Sequence, residues 1–285
     1  MGPVAKLLPC GLRLHLQHGP IDLIIGADGD RAKAFDAAQA RFATVLEELV
    51  DELSVLRAPM TKETPSPTGL IASRMHVATM PFSSHFVTRM AAVAGAVADE
   101  VLAAMVDAAD LHRAYVNNGG DIALHLRDGA QFTTAMMAHA GDVLGQITVT
   151  EADPIRGIAT SGRHGRSLSF GIADSVTVLA TTAARADVAA TLIANAVDLP
   201  DHAAITRKPA NDLVDDSDLG ARPVVTDCAP LSLIDCQTAL LSGKDRATQF
   251  QAQNLISAAG LFLQGHVATT NPQFLKAKHP ERLYA

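Results

Sequence analysis

The chain has 285 residues, 48% of them hydrophobic and 19% charged, with a formal net charge of −7 and no Trp. That length buries a full core, and the composition is that of an ordinary globular protein rather than a disordered or disulfide-dependent one. An acidic balance with few aromatics argues against nucleic acid as a partner, and three cysteines, Cys10, Cys228 and Cys236, without a Cys-x-x-Cys pair argue against a zinc ribbon or a secreted disulfide framework.

The opening stretch, MGPVAKLLPCGLRLHLQHGP, has a short apolar patch that Pro9, Gly11, Arg13 and His15 interrupt before a signal-peptide core or membrane span forms. The expected location is therefore the cytoplasm, with no membrane contact. LRLHLQ (12–17) alternates apolar and polar residues and IDLIIGA follows Gly19-Pro20, a β-hairpin pattern. Residues 30–57 carry Phe35, Ala38, Phe42, Val45, Leu49 and Leu53 at helical spacing, a long amphipathic helix capped by Asp28 or Asp30. TKETPSPTG (61–69) ends it as a surface loop. From about residue 87, VTRMAAVAGAVADEVLAAMV reads as a helix buried on most of its surface, small enough in its side chains for another backbone to come close.

The middle of the chain is β-rich: RAYVNN, DIALHL, FTTAMMA, ITVTEA, GIATSG and SVTVLAT are short strands separated by polar or Gly-rich turns. Strands bunched between helices predict an α+β fold, a largely antiparallel sheet packed with long Ala-rich helices. AARADVAATLIANAV (183–197) is a second Ala-rich helix, 198–230 reads as loop, KDRATQFQAQNLISAAGLFLQG (244–265) as a last helix, and TNPQFLKAKHPERLYA as a polar tail. The expected organisation is a core over 1–200, with 201–285 a loop-rich segment and C-terminal helix completing the same domain.

Three clusters carry chemistry. NNGGDI (117–122) holds more polar and permissive residues than a chain reversal needs. GIATSGRHGRSLSFGIAD (157–174) offers unhindered amides and hydroxyls, Thr160, Ser161, Ser167 and Ser169, with positive charge from Arg163 and Arg166, equipment for cradling a phosphate. His164 in that stretch is a candidate acid or base by its intrinsic pKa, and equally a solvated turn residue. Third, Asp187 and Thr191 stand four apart on a helix, so both oxygens lie on one face as two hard ligands of a magnesium ion. The same spacing fits an Asp near a helix start, favoured by the dipole, and a core-facing Thr. No G-x-S-x-G elbow, H-E-x-x-H pair or phosphate-loop fingerprint is present.

In their order, a Gly-Gly-Asp-Ile turn, then A-T-S-G about forty residues on, then a strand and an A-D-x-x-x-T helix, these clusters resemble the ApbE-like superfamily of flavin transferases, in particular its uncharacterised cytoplasmic branch. The resemblance runs over roughly residues 12–200, through MAAVAGAVADEV (90–101), VNNGGDIAL (116–124), GIATSG (157–162) and 167–197. It implies Mg2+ held by Asp187 and Thr191 with a backbone carbonyl near Ala94 to Ala96. It also implies FAD or a related pyrophosphate or nucleotide compound contacting Gly119, Gly120, Asp121, Thr160, Ser161 and Gly162; Asn118 and Arg166 beside them complete the candidate contacts, and Asp121 and His164 are the catalytic candidates. In such enzymes the FMN half moves onto a Thr or Ser hydroxyl of an acceptor protein. The chain departs from the transferases in lacking their N-terminal M-G-T segment and a clear flavin-stacking aromatic region, with two Tyr and no Trp. Two alternatives stay open: an enzyme of another cofactor's biosynthesis, such as the pterin or furan carriers of one-carbon metabolism (for example tetrahydromethanopterin), or a non-catalytic ligand-binding protein that retains the fold. Ala-rich helices and sheet edges also make a homodimer an expectation.

Overall fold

A computed structural model describes residues 2–137, 143–271 and 275–277. The alternating segments near the start form the expected hairpin: β1 (Val4–Leu7) lies along β2 (Arg13–His18), which turns at Gly19 into β3 (Ile21–Gly29). Period-2 alternation puts Leu14, Leu16, Leu23 and Ile25 on one face, and all four are buried. The chain then builds α1 (Arg31–Asp51), α2 (Leu53–Leu56), α3 (Leu70–Thr79) and α4 (Val93–Ala108) over that face and returns as the hairpin β4 (Leu111–Asn118) and β5 (Asp121–Leu126). After β6 (Gln131–Met137) and β7 (Val143–Thr150) come β8 (Gly157–Ser161), β9 (Ser175–Ala180) and α5 (Ala183–Ala196). The last elements are β10 (Ile205–Pro209), β11 (Pro223–Cys228), α6 (Leu233–Ala252), β12 (Ala258–Leu263), β13 (His266–Thr269) and β14 (Leu275–Ala277).

Nine strands form one sheet in the order β1-β2-β3-β4-β5-β8-β9-β12-β13, every neighbouring pair antiparallel, so the fold is the α+β arrangement expected. The helices cover one face. On the other, β6 and β7 pair with β14 in a separate small sheet, and a second apolar cluster, including Leu124, Ile147, Ile158 and Phe262, fills the space between the two sheets. Covered on both sides, β9 and β12 are buried at every position.

Several expectations need correction. The last helix spans Leu233–Ala252, and AAGLFL, assigned to it above, is instead strand β12 inside the main sheet. A short run that is apolar throughout has no periodicity to separate a buried strand from a helix. Segment 198–230 is not all loop, because β10 and β11 pair across it, so the C-terminal portion holds strands as well as a helix. Helix α3 went unassigned, its polar and apolar residues giving little amphipathic contrast. The helix over 30–57 breaks at Glu52, whose carboxylate accepts the amides of Thr68 and Gly69 and so pins the loop over 61–69. Asp30 occupies the N-cap position of α1 without a capping side-chain bond and pairs with Lys33 instead. Of the polar tail, Leu275–Ala277 forms β14, while 272–274 and 278–285 lie outside the described residues.

The helix layer is anchored where α4 and α5 meet. Asp99, on α4, accepts the first two amides of α5, from Ala183 at 3.0 Å and Ala184 at 2.9 Å. Asp187, on α5, accepts the Gly95 amide in the first turn of α4 at 3.0 Å. Each helix thus caps the other, satisfying amides that a helix N-terminus leaves without an internal partner. Such reciprocity demands contact between backbones: a Cβ on Gly95 would stand 2.4 Å from the carbonyl of Ala183, and one on Gly157 of β8 would stand 2.1 Å from that of Thr182. Gly95→Ala therefore sets helix propensity, which favours Ala by about 1 kcal/mol, against a clash costing about 1–3 kcal/mol. We expect the clash to win, lowering the urea midpoint at unchanged slope; a stabilised variant would show that the helices do not touch here.

Candidate functional site

The β4–β5 turn explains its own composition. Gly119 and Gly120 have φ of 66° and 116°, the positive values that both central residues of a tight two-residue hairpin turn require. Around them each polar side chain ties down a different element: Asn117 Oδ1 accepts the Gly120 amide at 2.9 Å, Asn118 Nδ2 donates to the Ala94 carbonyl of α4 at 3.1 Å, and Asp121 Oδ1 accepts the Thr160 amide of β8 at 3.2 Å. The polar surplus of this turn thus joins hairpin, helix layer and neighbouring strand. Above it lies Arg166, whose Nη2 would stand 2.5 Å from a Cβ on Gly119 and whose Nη1 donates to the Pro20 carbonyl at 2.9 Å.

Strand register divides these residues between two faces. Asn118 pairs with Asp121, and Asn117 with Ile122, so the first pair points to the helices and the second to the small sheet. On the small-sheet side opens a cleft of about 560 Å³, with Ile122, Met136, Ile147 and Ile158 as apolar wall and Thr160 and Thr177 as a polar one, their hydroxyls 3.0 Å apart. Gly119, Gly120, Ser161, Gly162 and His164 also border it. His164 is exposed, with Nε2 3.2 Å from Asp174 Oδ1; Asp174 also takes the Arg163 guanidinium at 2.8 Å and borders the same cleft.

On the helix side stand three carboxylates. Asp121 is buried, and desolvation pushes its carboxyl up to about 7 against the lowering effects of the Thr160 amide and Arg166. Asp187 is raised well above the ordinary range, first by desolvation and then by the charge of Asp121, with the amides of Gly95 and Ala94 opposing. Asp99 is raised to about 6, again by desolvation, against its two amide donors. Beside them Asn118 Oδ1 is a buried acceptor with no hydrogen-bond partner. Thr191 is partly exposed one turn along α5 from Asp187.

Among the described residues no group of three His, Cys, Asp or Glu is placed to hold a metal. A cation here would need a mixed set of oxygens, since Asp99 spends both of its oxygens on amides and Asp187 one. Mg2+ tolerates such a set, taking one or two carboxylates and filling its other positions with neutral oxygens and water. Two mutually repelling carboxyls beside an acceptor without a donor are the electrostatic complement of a small cation. The residues present therefore fit Mg2+.

The structure thus gathers Asn118, Asp121 and Asp187 on the helix side, and Gly119, Gly120, Thr160, Ser161, Gly162 and His164 around the cleft, the two groups meeting through the Asp121–Thr160 hydrogen bond. Asp99 and Asp174 belong to this region and were not singled out from sequence, whereas Asn117 was noted there as part of the NNGGDI cluster. Asp99 carries no local signal, since its amide partners lie on α5 and Glu100 stands next to it. Asp174 carries none beyond its place after FGIA.

Helix pair, turn and nearly the whole sheet lie within the stretch that a family model matches. The family described as AbpE bacteria matches residues 5–269, nearly the whole chain, and the chain belongs to that family. A UPF0280 protein of Methanothermobacter thermautotrophicus is 42% identical over 88 residues, 30% of this chain and 34% of that protein. One from Methanothrix thermoacetophila is 40% identical over 112 residues, 38% of this chain and 45% of that protein. The chain thus spans less than half the length of these curated relatives. A crystal structure of Pseudomonas stutzeri flavinyl transferase ApbE, apo form, aligns over 98% of this chain and 99% of its own, with 12% identity and a TM-score of 0.49. No helix among the described residues is long and apolar enough to cross a membrane.

Because the folded value of Asp99, about 6, exceeds its ordinary 3.8, the folded chain keeps a proton that the unfolded chain releases. This group's contribution to stability is fullest below 3.8, declines as pH rises to about 6, and is level above that. Denaturant unfolding of wild type and Asp99→Asn across this interval should show wild type losing stability relative to the variant as pH rises. A constant difference would place the Asp99 carboxyl in an ordinary solvated setting.

Proposed function

We propose that the protein is a Mg2+-dependent transferase acting on FAD or a related pyrophosphate or nucleotide compound. The observation that supports this best is the close pair of buried Asp121 and half-buried Asp187 beside the unpartnered Asn118 Oδ1, at the same strand ends that border the cleft. In this reading Asp187 and Thr191 hold the metal, with the Ala94 carbonyl and Asn118 Oδ1 as neutral oxygens close by. Bound Mg2+ supplies positive charge against a pyrophosphate, which a chain of net charge −7 cannot offset globally. Gly119 and Gly120 let the backbone approach the ligand, while Thr160, Ser161, Gly162 and Arg166 contact its phosphate and sugar portions.

The transfer breaks the bond between one phosphorus and the bridging oxygen and forms a bond from that phosphorus to an acceptor hydroxyl. A nucleoside monophosphate leaves, and the hydroxyl proton passes to a base. Asp121, with its carboxyl near neutrality, and His164, beside Asp174, are the residues assigned to proton handling. The acceptor is a protein Ser or Thr hydroxyl.

The test combines metal binding and turnover. Mg2+ should raise the thermal midpoint of wild type, by an amount equivalent to about 2.7 kcal/mol at a hundred times its Kd. Asp187→Asn keeps an acceptor for the Gly95 amide while removing the charge, so it should fold yet lose this shift. FAD incubated with Mg2+ and acceptor peptide should yield AMP and flavinylated peptide with wild type alone. Binding of Mg2+ with FAD left intact would reject the flavin version of the reaction and retain the metal.

A second reading, an enzyme in the biosynthesis of another cofactor such as tetrahydromethanopterin, is favoured by the hosts of the relatives, several of which carry methane-forming names. It requires the pool of one-carbon carriers to fall in a deletion strain, and an unchanged pool would reject it. A chain whose FAD binding or stability weakens in Asp187→Ala while neither form turns anything over would be the non-catalytic binding protein.

A further inference from the structure

A second cavity, of about 280 Å³, lies on the small-sheet side of the main sheet, between β2, β3, β4 and the start of β6. Its walls differ in kind from those of the larger cleft. Tyr115 and Phe132 meet edge to face with ring centroids 5.5 Å apart. The Tyr115 ring lies directly on the backbone of Gly26, where a Cβ would stand 2.4 Å from Cε1, so glycine at that position is what lets the ring lie there.

Around these rings stand three guanidinium groups and one carboxylate. Asp28 is shared by Arg113 Nε at 2.6 Å and Arg31 Nη2 at 3.3 Å. Arg31 Nε is spent on the Ala27 carbonyl at 2.7 Å and Arg113 Nη1 on the Gln131 carbonyl at 3.1 Å. The Arg113 guanidinium lies 5.2 Å from the centroid of the Phe132 ring. Arg13 stands beside the thiol of Cys10 and the hydroxyl of Tyr115, groups that are neutral in their ordinary states. One carboxylate therefore faces three permanent cations, a local positive surplus in a chain of net charge −7.

We propose that this cavity binds a compact aryl or heteroaryl phosphate, with the ring against Tyr115 and Phe132 and the phosphate on the donors that Arg13, Arg31 and Arg113 still have to offer. The volume, half that of the larger cleft, suits a single ring system. A phosphate fits better than a carboxylate because three separated guanidinium groups call for three acceptor oxygens and more than one negative charge. The rings add stacking that inorganic phosphate cannot use. None of the residues assigned above to metal or flavin lines this cavity, so the proposal stands apart from the transferase reading.

Cys10 supplies the readout. It is the exposed cysteine and lines the cavity, whereas Cys228 and Cys236 are buried. Its thiol is lowered by the Leu12 amide and then by Arg13, which favours alkylation by iodoacetamide. Phenyl phosphate titrated into the full chain should slow carboxymethylation of Cys10, followed by peptide mass, with saturation and about threefold slowing at twice the Kd. Inorganic phosphate and benzoate at matched ionic strength should slow it less. The Arg31→Gln/Arg113→Gln variant leaves the Cys10–Arg13 contact in place, so it should keep the basal alkylation rate and lose the protection. Arg113→Gln alone, retaining Arg31 to hold Asp28, serves if the double variant melts early, and should lose part of the protection. Protection no greater than that by sodium chloride, or equal protection in the variants, would overturn the site. Equal protection by benzoate would overturn the phosphate assignment, and by inorganic phosphate the ring.

Discussion

The mutual capping of α4 and α5 is the constraint on which the rest of the molecule depends. A helix N-terminus presents amides and a partial positive charge that must be answered, and here each helix answers with a carboxylate from the other. Asp99 and Asp187, both half-buried, keep their carboxylates on those amides and so tie the start of each helix to the other. Because the carboxylates are short, the backbones must touch, which places glycine at positions 95 and 157. With α5 thus laid on the start of β8, and α4 tied through Ala94 to Asn118, the β4–β5 turn and the end of β8 converge beside the helix starts.

What could be read from the sequence follows from which forces are local. The β2–β3 hairpin, α1 and the β4–β5 turn are specified by alternation, 3.6-residue periodicity and Gly-Gly chemistry, all short-range. The Asp187–Thr191 spacing was visible for the same reason, as one helical turn. The β12 strand was not, because AAGLFL is apolar on both faces and only its neighbours β9 and β13 make it a strand. Nor was the separation of β6 and β7 from the main sheet, since the strand pattern is the same in either sheet and the difference lies in long-range pairing. Asp99 lies in the same class: its partners are more than eighty residues away, and nothing local to ADEV distinguishes a cap acceptor from a solvated acid.

The alternation that builds the sheet also divides the candidate site. Successive residues of β4 and β5 point to opposite faces, so the hairpin delivers Asn118 and Asp121 to the helix layer and Asn117 and Ile122 to the cleft. A sequence motif such as N-N-G-G-D-I is therefore two half-sites interleaved. They are joined at the strand ends, where the glycines leave the backbone bare and where Asp121 grips the first polar residue of the cleft wall through the Thr160 amide.

The capping role of Asp187 and the metal-binding role proposed for it do not compete. The Gly95 amide occupies one of its oxygens and, with the Ala94 amide, favours the charged form, while burial and Asp121 oppose that form more strongly. In the proposed reading a positive species beside the carboxyls offsets that penalty, and a proton or a compact cation can serve. A proton neutralises the carboxyl that carries it and can be donated to Asn118 Oδ1. A cation answers all three oxygens at once and keeps the charge of Asp187 on the helix that it caps. Metal binding at this position would therefore reinforce the same contact that organises the fold.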